Sequence, residues 1–145
     1  MEFTAESYRS ASQEHLETAK QFHLDGVFYL AHYFAGLSVE CMLRAYLRRI
    51  DPEFYPVHNL SELATRSRYF DIVPSDLHIE YGAEFNILNL RWRSNHRFAT
   101  SAQLYAYLSE VKADFNCKGD RFKQNSRTLL NSAIKVTQLG ESKWT

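Results

Sequence analysis

The chain has 145 residues, of which 45% are hydrophobic and 23% charged, and its 17 basic residues are balanced by 17 acidic ones. This length and composition indicate one folded domain spanning residues 1–145 and exclude a disordered tail, because the apolar residues suffice for a core. Five glycines and three prolines are too few for a turn-rich sandwich or barrel.

The first residues lack the basic and apolar regions of a signal peptide, so we expect a cytoplasmic protein. The most apolar stretch, residues 27–39, is too short to span a membrane. Cys41 and Cys117 belong to no Cys or His cluster, which predicts two buried thiols. We expect neither a metal ion nor a cofactor.

Apolar residues recur at helical spacing along the whole chain, which predicts an all-α, antiparallel bundle of about five to six helices. The short Asp25-Gly26 link predicts that the second helix, from about Phe28 to Arg49, folds back on the first. A later helix begins near Pro74, and Gly140 is expected to end the last one. The predicted N-terminal caps are Thr4, Asn59, Thr100 and Asp120.

Charge is distributed unevenly. Residues 85–109 contain no Asp or Glu but include Arg91, Arg93 and Arg97, so this stretch is suited to face an anion. Residues 118–135 carry five further basic residues and one acidic residue. They form either a second basic surface beside the first or an ordinary solvated helix face.

Residues 91–97 combine a titratable imidazole with three guanidinium groups, the groups needed to cleave a phosphodiester without a metal ion. His96 would act as general base on a ribose 2′-hydroxyl, and Arg91 would stabilise the charge on the phosphoryl oxygens. Such a reaction leaves a 2′,3′-cyclic phosphate and continues in EDTA.

This hypothesis requires a break in the helix, because five residues of a continuous α-helix leave Arg91 and His96 about 140° apart around its axis. We expect the helix to end between Arg93 and Asn95. The alternative makes Trp92 a core residue, pairs Arg91 with Glu80 or Glu84, and leaves His96 without a function.

Two other histidines have simpler interpretations. His32 and Glu40 are two turns apart on one helix, too far to ligate zinc together. His58 precedes the Asn59 cap and is expected to order the loop rather than to act in catalysis.

Residues 33–47, followed by His58-Asn59-Leu60, resemble a HEPN domain, the nucleotide-binding helical domain of higher eukaryotes and prokaryotes. The resemblance implies a two-fold homodimer, often paired as a toxin with a minimal nucleotidyltransferase antitoxin. Many family members are metal-independent endoribonucleases with an Arg-x4–6-His motif, which Arg91 and His96 match.

A subgroup without ribonuclease activity has a different pattern, and Leu88-Asn89, Trp92 and Arg97-Phe98 resemble it about as well. Three hypotheses therefore remain. The leading one is an RNA- or nucleotide-binding homodimer that cleaves RNA, and the second is a non-catalytic binding or partner-docking module. The third is an oligomer or scaffold whose basic patch is ordinary surface. Arg91 and His96 are the candidate catalytic residues, and the candidate RNA-binding residues are Arg93, Asn95 and Arg97.

Overall fold

The computed structural model describes residues 3–53, 56–113 and 119–145. These residues form six α-helices and no strand, which confirms the predicted all-α bundle. The helices are α1 (Ala5–Leu24), α2 (Phe28–Ile50), α3 (Leu60–Arg66), α4 (His78–Arg91), α5 (Ser101–Glu110) and α6 (Arg121–Ser142). A 3₁₀ turn at Ser94–Phe98, called here the 94–98 turn, connects α4 to α5.

All four predicted N-terminal caps are confirmed. Their side chains each accept a hydrogen bond from a backbone N–H of the first helical turn, at 3.0 or 3.1 Å. These caps are Thr4, Asn59, Thr100 and Asp120. Gly26, with φ of 77°, ends α1 as predicted, because this left-handed conformation suits glycine.

The prediction that Gly140 ends the last helix is wrong, because α6 continues to Ser142. Gly140 instead allows close packing: a Cβ there would lie 2.7 Å from the Met42 side chain. Its carbonyl also accepts a hydrogen bond from the Tyr46 hydroxyl at 2.5 Å. The glycine therefore serves the contact between α6 and α2.

Side-chain contacts give the helix directions. Trp144, just beyond α6, donates to Glu6 near the start of α1, whereas Ser126 at the start of α6 contacts His23 at the end of α1, so the two helices are antiparallel. Helix α2 lies at the centre, with buried residues on several sides along its length. Among the described residues, no helix is long and apolar enough to cross a bilayer.

Trp92 determines where α4 ends. Its indole is buried, donates from Nε1 to the Tyr33 carbonyl at 3.0 Å, and lies against Gly36 of α2. Its backbone is extended, with φ of −116° and ψ of 139°, so the chain leaves the helix at this residue. Burial of Trp92 was predicted, and it fixes the start of the segment that carries the candidate site.

Cys41 is buried, as predicted, and burial raises the pKa of its thiol to about 12. Cys117 and Lys118 lie outside the described residues.

Candidate functional site

The helix break required for Arg91 and His96 to act together is present. Helix α4 ends at Arg91, slightly earlier than predicted, and His96 lies within the 94–98 turn. Glu80 and Glu84, the carboxylates that the alternative pairs with Arg91, both contact Lys135. Arg91 turns toward α6.

Two buried side chains connect Arg91 with His96. The Arg91 guanidinium donates to Asn125 Oδ1 at 3.5 Å, and Asn125 Nδ2 lies 2.9 Å from His32 Nδ1. His32 Nε2 lies 3.1 Å from His96 Nδ1. We call this series of four hydrogen-bonded side chains the relay. It brings the two predicted catalytic residues into one network, although they come from different elements.

The backbone N–H of Arg93 determines the direction of every hydrogen bond in the relay. It lies 3.1 Å from His96 Nδ1, and because an amide N–H can only donate, Nδ1 must accept. His32 therefore donates to His96 from Nε2, and Asn125 donates to His32 from Nδ2. The proton of neutral His96 then resides on Nε2, where none of the described residues forms a hydrogen bond to it.

Both histidines of the relay are neutral at physiological pH. Burial, together with the neighbouring His96 and Arg91, lowers the pKa of His32 to about 3. Burial and the Arg93 charge lower the pKa of His96 to about 4. The general-base role predicted for His96 requires a free lone pair, which this pattern of hydrogen bonds does not leave. His96 can instead donate from Nε2.

An open depression of about 610 Å³ lies beside His96. The Tyr107 ring packs edge-on against the imidazole, with 4.8 Å between ring centroids, and the Arg93 guanidinium lies 5.9 Å from the Tyr107 ring centroid. The lining residues are Arg93, Asn95, His96, Phe98, Ala99, Gln103 and Tyr107. Cationic, amide and aromatic groups therefore line the depression together with His96.

The three predicted RNA-binding residues, Arg93, Asn95 and Arg97, are exposed, and the first two line the depression. Arg93 also donates to the carbonyl oxygens of Asn89 and Trp92, and so satisfies acceptors at the end of α4. Arg97 donates to the Ser94 carbonyl at 3.5 Å. Asn95 has its side chain toward solvent and lines the depression.

Sequence reasoning did not assign a role to His32, Asn125 or Tyr107. A signal for the first two existed, because each is a polar residue at a position where helical spacing calls for an apolar one. His32 interrupts the most apolar stretch of the chain, and Asn125 is one turn before the buried Leu129. Tyr107 carried no such signal.

A second polar cluster is built on α2 two turns after His32. We call Glu40, Arg44 and His58 the Glu40 cluster. The buried Glu40 carboxylate accepts from Arg44 Nε at 3.2 Å and lies 3.1 Å from His58 Nδ1. Arg44 Nη2 is 3.4 Å from the same Nδ1 but donates to the Val57 carbonyl at 2.8 Å. Because the contact with Glu40 is the shorter of the two and a carboxylate can only accept, we assign His58 Nδ1 as the donor to Glu40. This agrees with its predicted role in ordering the loop.

A small cavity of about 230 Å³ adjoins this cluster. It is lined by His58, Asn59, Leu60, Asn89, Trp92, Arg93, Ser94 and Asn95. Arg93 and Asn95 thus line both this cavity and the depression beside His96.

The described basic residues between 119 and 135 do not form one surface. Arg121 donates to the Tyr105 hydroxyl at 3.0 Å, and Lys135 pairs with the carboxylates of α4. Lys123 and Arg127 line a separate cavity with His23. The described residues therefore do not support the predicted second basic surface beside the first.

No family model, curated protein or solved structure matches the chain. In the part of the chain that the structure describes, no three His, Cys, Asp or Glu side chains are grouped to hold a metal ion.

Proposed function

We propose that this chain is a HEPN-like RNA-binding domain that acts as a homodimer and cleaves RNA without a metal ion. The observation that carries the proposal is the relay, which joins Arg91 and His96 across the broken end of α4. Such a network fixes the orientation of its members before a ligand binds, which is how a preorganised site lowers the free energy of a charged transition state.

The chemistry of the relay suits a phosphate group. Arg91 is positively charged at any physiological pH, and His96 offers an N–H donor that stays neutral and so adds no charge repulsion. Arg93 and Arg97 add positive charge, and residues 85–109 contain no carboxylate to oppose them. A phosphodiester is the anion that these donors fit.

The surroundings of His96 favour single-stranded RNA. Tyr107 lines the depression, and Phe98, which is 74% exposed, lies at its edge. Exposed aromatic rings beside cationic groups provide stacking surfaces for unpaired bases. Asn95 supplies an amide that can hydrogen-bond to a base edge or a ribose.

In the proposed reaction a ribose 2′-oxygen attacks the adjacent phosphorus and the bond to the 5′-oxygen breaks, leaving a 2′,3′-cyclic phosphate. Arg91 and the Nε2–H group of His96 would stabilise the charge on the nonbridging oxygens. The proton of the 2′-hydroxyl must go to another acceptor.

The direct test is incubation of the purified protein with single-stranded RNA in excess EDTA. We expect cleavage to cyclic-phosphate ends and a loss of about 100-fold or more in Arg91→Ala and His96→Ala. Lys20→Ala and His15→Gln, which remove a basic residue and a histidine from α1, should cleave within about twofold of the parent chain. Absence of cleavage in the parent, or cleavage that persists in both site variants, would refute the ribonuclease proposal.

One observation favours a second candidate, a non-catalytic nucleotide-binding or partner-docking module. The single lone pair on His96 Nδ1 is shared between two donors and the pKa of the ring is about 4, so the imidazole can bind an anion without exchanging a proton at neutral pH. RNA binding that weakens steeply with salt and is lost in Arg91→Ala, without cleavage by the parent, would support this candidate.

The family resemblance extends the proposal to a toxin paired with a minimal nucleotidyltransferase antitoxin. Co-expression with a nucleotidyltransferase encoded by the adjacent gene tests this partnership. A complex that suppresses RNA cleavage would support it, and independent migration of the two proteins on a sizing column would contradict it.

A further inference from the structure

We propose that His58, oriented by the buried carboxylate of Glu40, is the general base that accepts the 2′-hydroxyl proton in the cavity between the start of α3 and the 94–98 turn. This inference rests on the proposed ribonuclease function and supplies the acceptor that His96 cannot provide.

The imidazoles of His96 and His58 carry their protons on different nitrogens. His96 accepts at Nδ1 and carries its proton on Nε2, whereas His58 donates from Nδ1 to Glu40 Oε1 at 3.1 Å. The neutral ring of His58 therefore has its lone pair on Nε2. No hydrogen bond to this atom comes from any residue that the structure describes.

The His58 imidazole is accessible from the cavity. The His58 side chain is 44% exposed, whereas that of Glu40 is 8% exposed, so the imidazole connects a buried carboxylate to the cavity. A carboxylate bound to Nδ1–H holds the ring in one orientation and stabilises the imidazolium that forms when Nε2 takes a proton. The Arg44 guanidinium forms a buried ion pair with the same carboxylate at 3.2 Å.

The cavity of His58 adjoins the proposed phosphate site beside His96. Arg93 and Asn95 line both the cavity of His58 and the depression of His96. An RNA strand that crosses this pair of residues places a ribose on the His58 side and the adjacent phosphate on the His96 side. Asn89 and Ser94 add an amide and a hydroxyl to the ribose side, and these groups suit a polar sugar.

The proton balance of the step is complete. The 2′-hydroxyl proton passes to His58 Nε2 as the 2′-oxygen bonds to phosphorus, and the bond from phosphorus to the 5′-oxygen breaks. The departing 5′-oxygen takes a proton from a water molecule, and the imidazolium returns its proton to the resulting hydroxide. The products are a 2′,3′-cyclic phosphate and a 5′-hydroxyl end.

The test compares two variants with different consequences for structure. In His58→Asn the side-chain amide takes the place of Nδ1 and can still donate to Glu40. The variant has no basic nitrogen where Nε2 lies in the parent. In His58→Ala a space remains that free imidazole can enter. We expect both variants to bind RNA like the parent and to cleave it about 100-fold or more slowly in EDTA, with millimolar imidazole restoring cleavage to His58→Ala alone.

Near-ultraviolet circular dichroism of both variants shows whether the fold is retained. Cleavage by His58→Asn within about threefold of the parent, while Arg91→Ala and His96→Ala lose it, would overturn the role of His58 and leave the ribonuclease proposal intact. Loss of cleavage in both His58 variants without imidazole rescue would assign His58 to the fold alone and also overturn the inference. A parent that cleaves no RNA overturns both proposals.

Discussion

The relay and the Glu40 cluster are two histidine centres built on the same helix, and they differ in what holds the imidazole. In the relay, His32 and His96 contact an amide, a backbone N–H and each other, with no carboxylate in the hydrogen-bonded series. In the other centre, His58 contacts a buried carboxylate. The same side chain is therefore a fixed donor in one place and presents a lone pair in the other.

This comparison shows that the protonation of a histidine follows from its hydrogen-bond partners rather than from its position in a motif. The Arg-x4-His spacing identifies His96, but only the Arg93 N–H bond determines which nitrogen of His96 carries the proton. A partner contributed by loop geometry thus decides the chemistry that a motif residue can perform.

We expect the largest loss of stability when the Glu40 carboxylate is removed, because this carboxylate distinguishes the Glu40 cluster from the relay. Glu40→Ala removes the buried carboxylate that both Arg44 and His58 contact, which should lower the free energy of unfolding by about 3–5 kcal/mol in urea titrations. The matched control is Glu17→Ala, which breaks an exposed ion pair with Lys20 and should change stability by less than about 1 kcal/mol. Equal effects of the two substitutions would show that burial of the Glu40 pair is unimportant.

A smaller effect is expected at Gly36, which supports both centres through Trp92. A Cβ at this position would lie 2.2 Å from the indole, so Gly36→Ala should destabilise the fold by about 2–3 kcal/mol and weaken the near-ultraviolet signal of tryptophan. Gly82→Ala, where a Cβ meets no atom within 4 Å, is the control. It should stabilise the helix by up to about 1 kcal/mol, and a similar loss in both variants would contradict the account.

The relay also predicts a pH dependence of stability. The pKa of His32 is about 3 when folded and 6.5 in an unfolded chain, so the unfolded state binds the proton more readily. The contribution of neutral His32 to the free energy of unfolding is therefore fully present above pH 6.5 and is lost as the pH falls. Between pH 7.5 and 5 we expect His32 to account for a loss of about 2 kcal/mol. Urea titrations of the parent and His32→Gln at both pH values measure the difference, and an equal loss in both chains would exclude His32 as its source.

A single substitution, Asn125→Asp, should make the relay resemble the Glu40 cluster by giving it a carboxylate. Asn125→Asp replaces the amide donor with a carboxylate, which must accept from His32 Nδ1. We expect the pKa of His32 to rise by about 2 pH units, because an adjacent negative charge favours the imidazolium. Histidine ring resonances followed by NMR across pH measure this change, and Asn125→Ala should show no such rise. An unchanged His32 titration in Asn125→Asp would contradict the direct contact between residue 125 and His32.

Much of the fold was predictable because it depends on local signals. Capping residues such as Thr4 and Asn59 act within one helical turn, so their sequence spacing is sufficient to locate a helix start. Gly140 was misassigned because its role depends on Met42, which is far away in the sequence. A glycine that permits close packing and one that ends a helix look the same in a sequence.

The candidate site was predictable only in part, for the same reason. Arg91 and His96 are recognisable from their spacing and from the arginines around them. Asn125 and His32 connect them through contacts between distant parts of the chain, which no spacing rule reveals. Their polarity at apolar positions was the available signal, and it indicated buried hydrogen bonds without naming the partners.

The most direct test of the account is a long-range proton–nitrogen NMR spectrum of the histidine rings in the uniformly ¹⁵N-labelled parent at pH 7. We predict that His96 is neutral with its proton on Nε2 and that neutral His58 carries its proton on Nδ1, with assignments from His96→Ala and His58→Asn. A proton on Nδ1 of His96, or a doubly protonated His96 ring, would contradict the account.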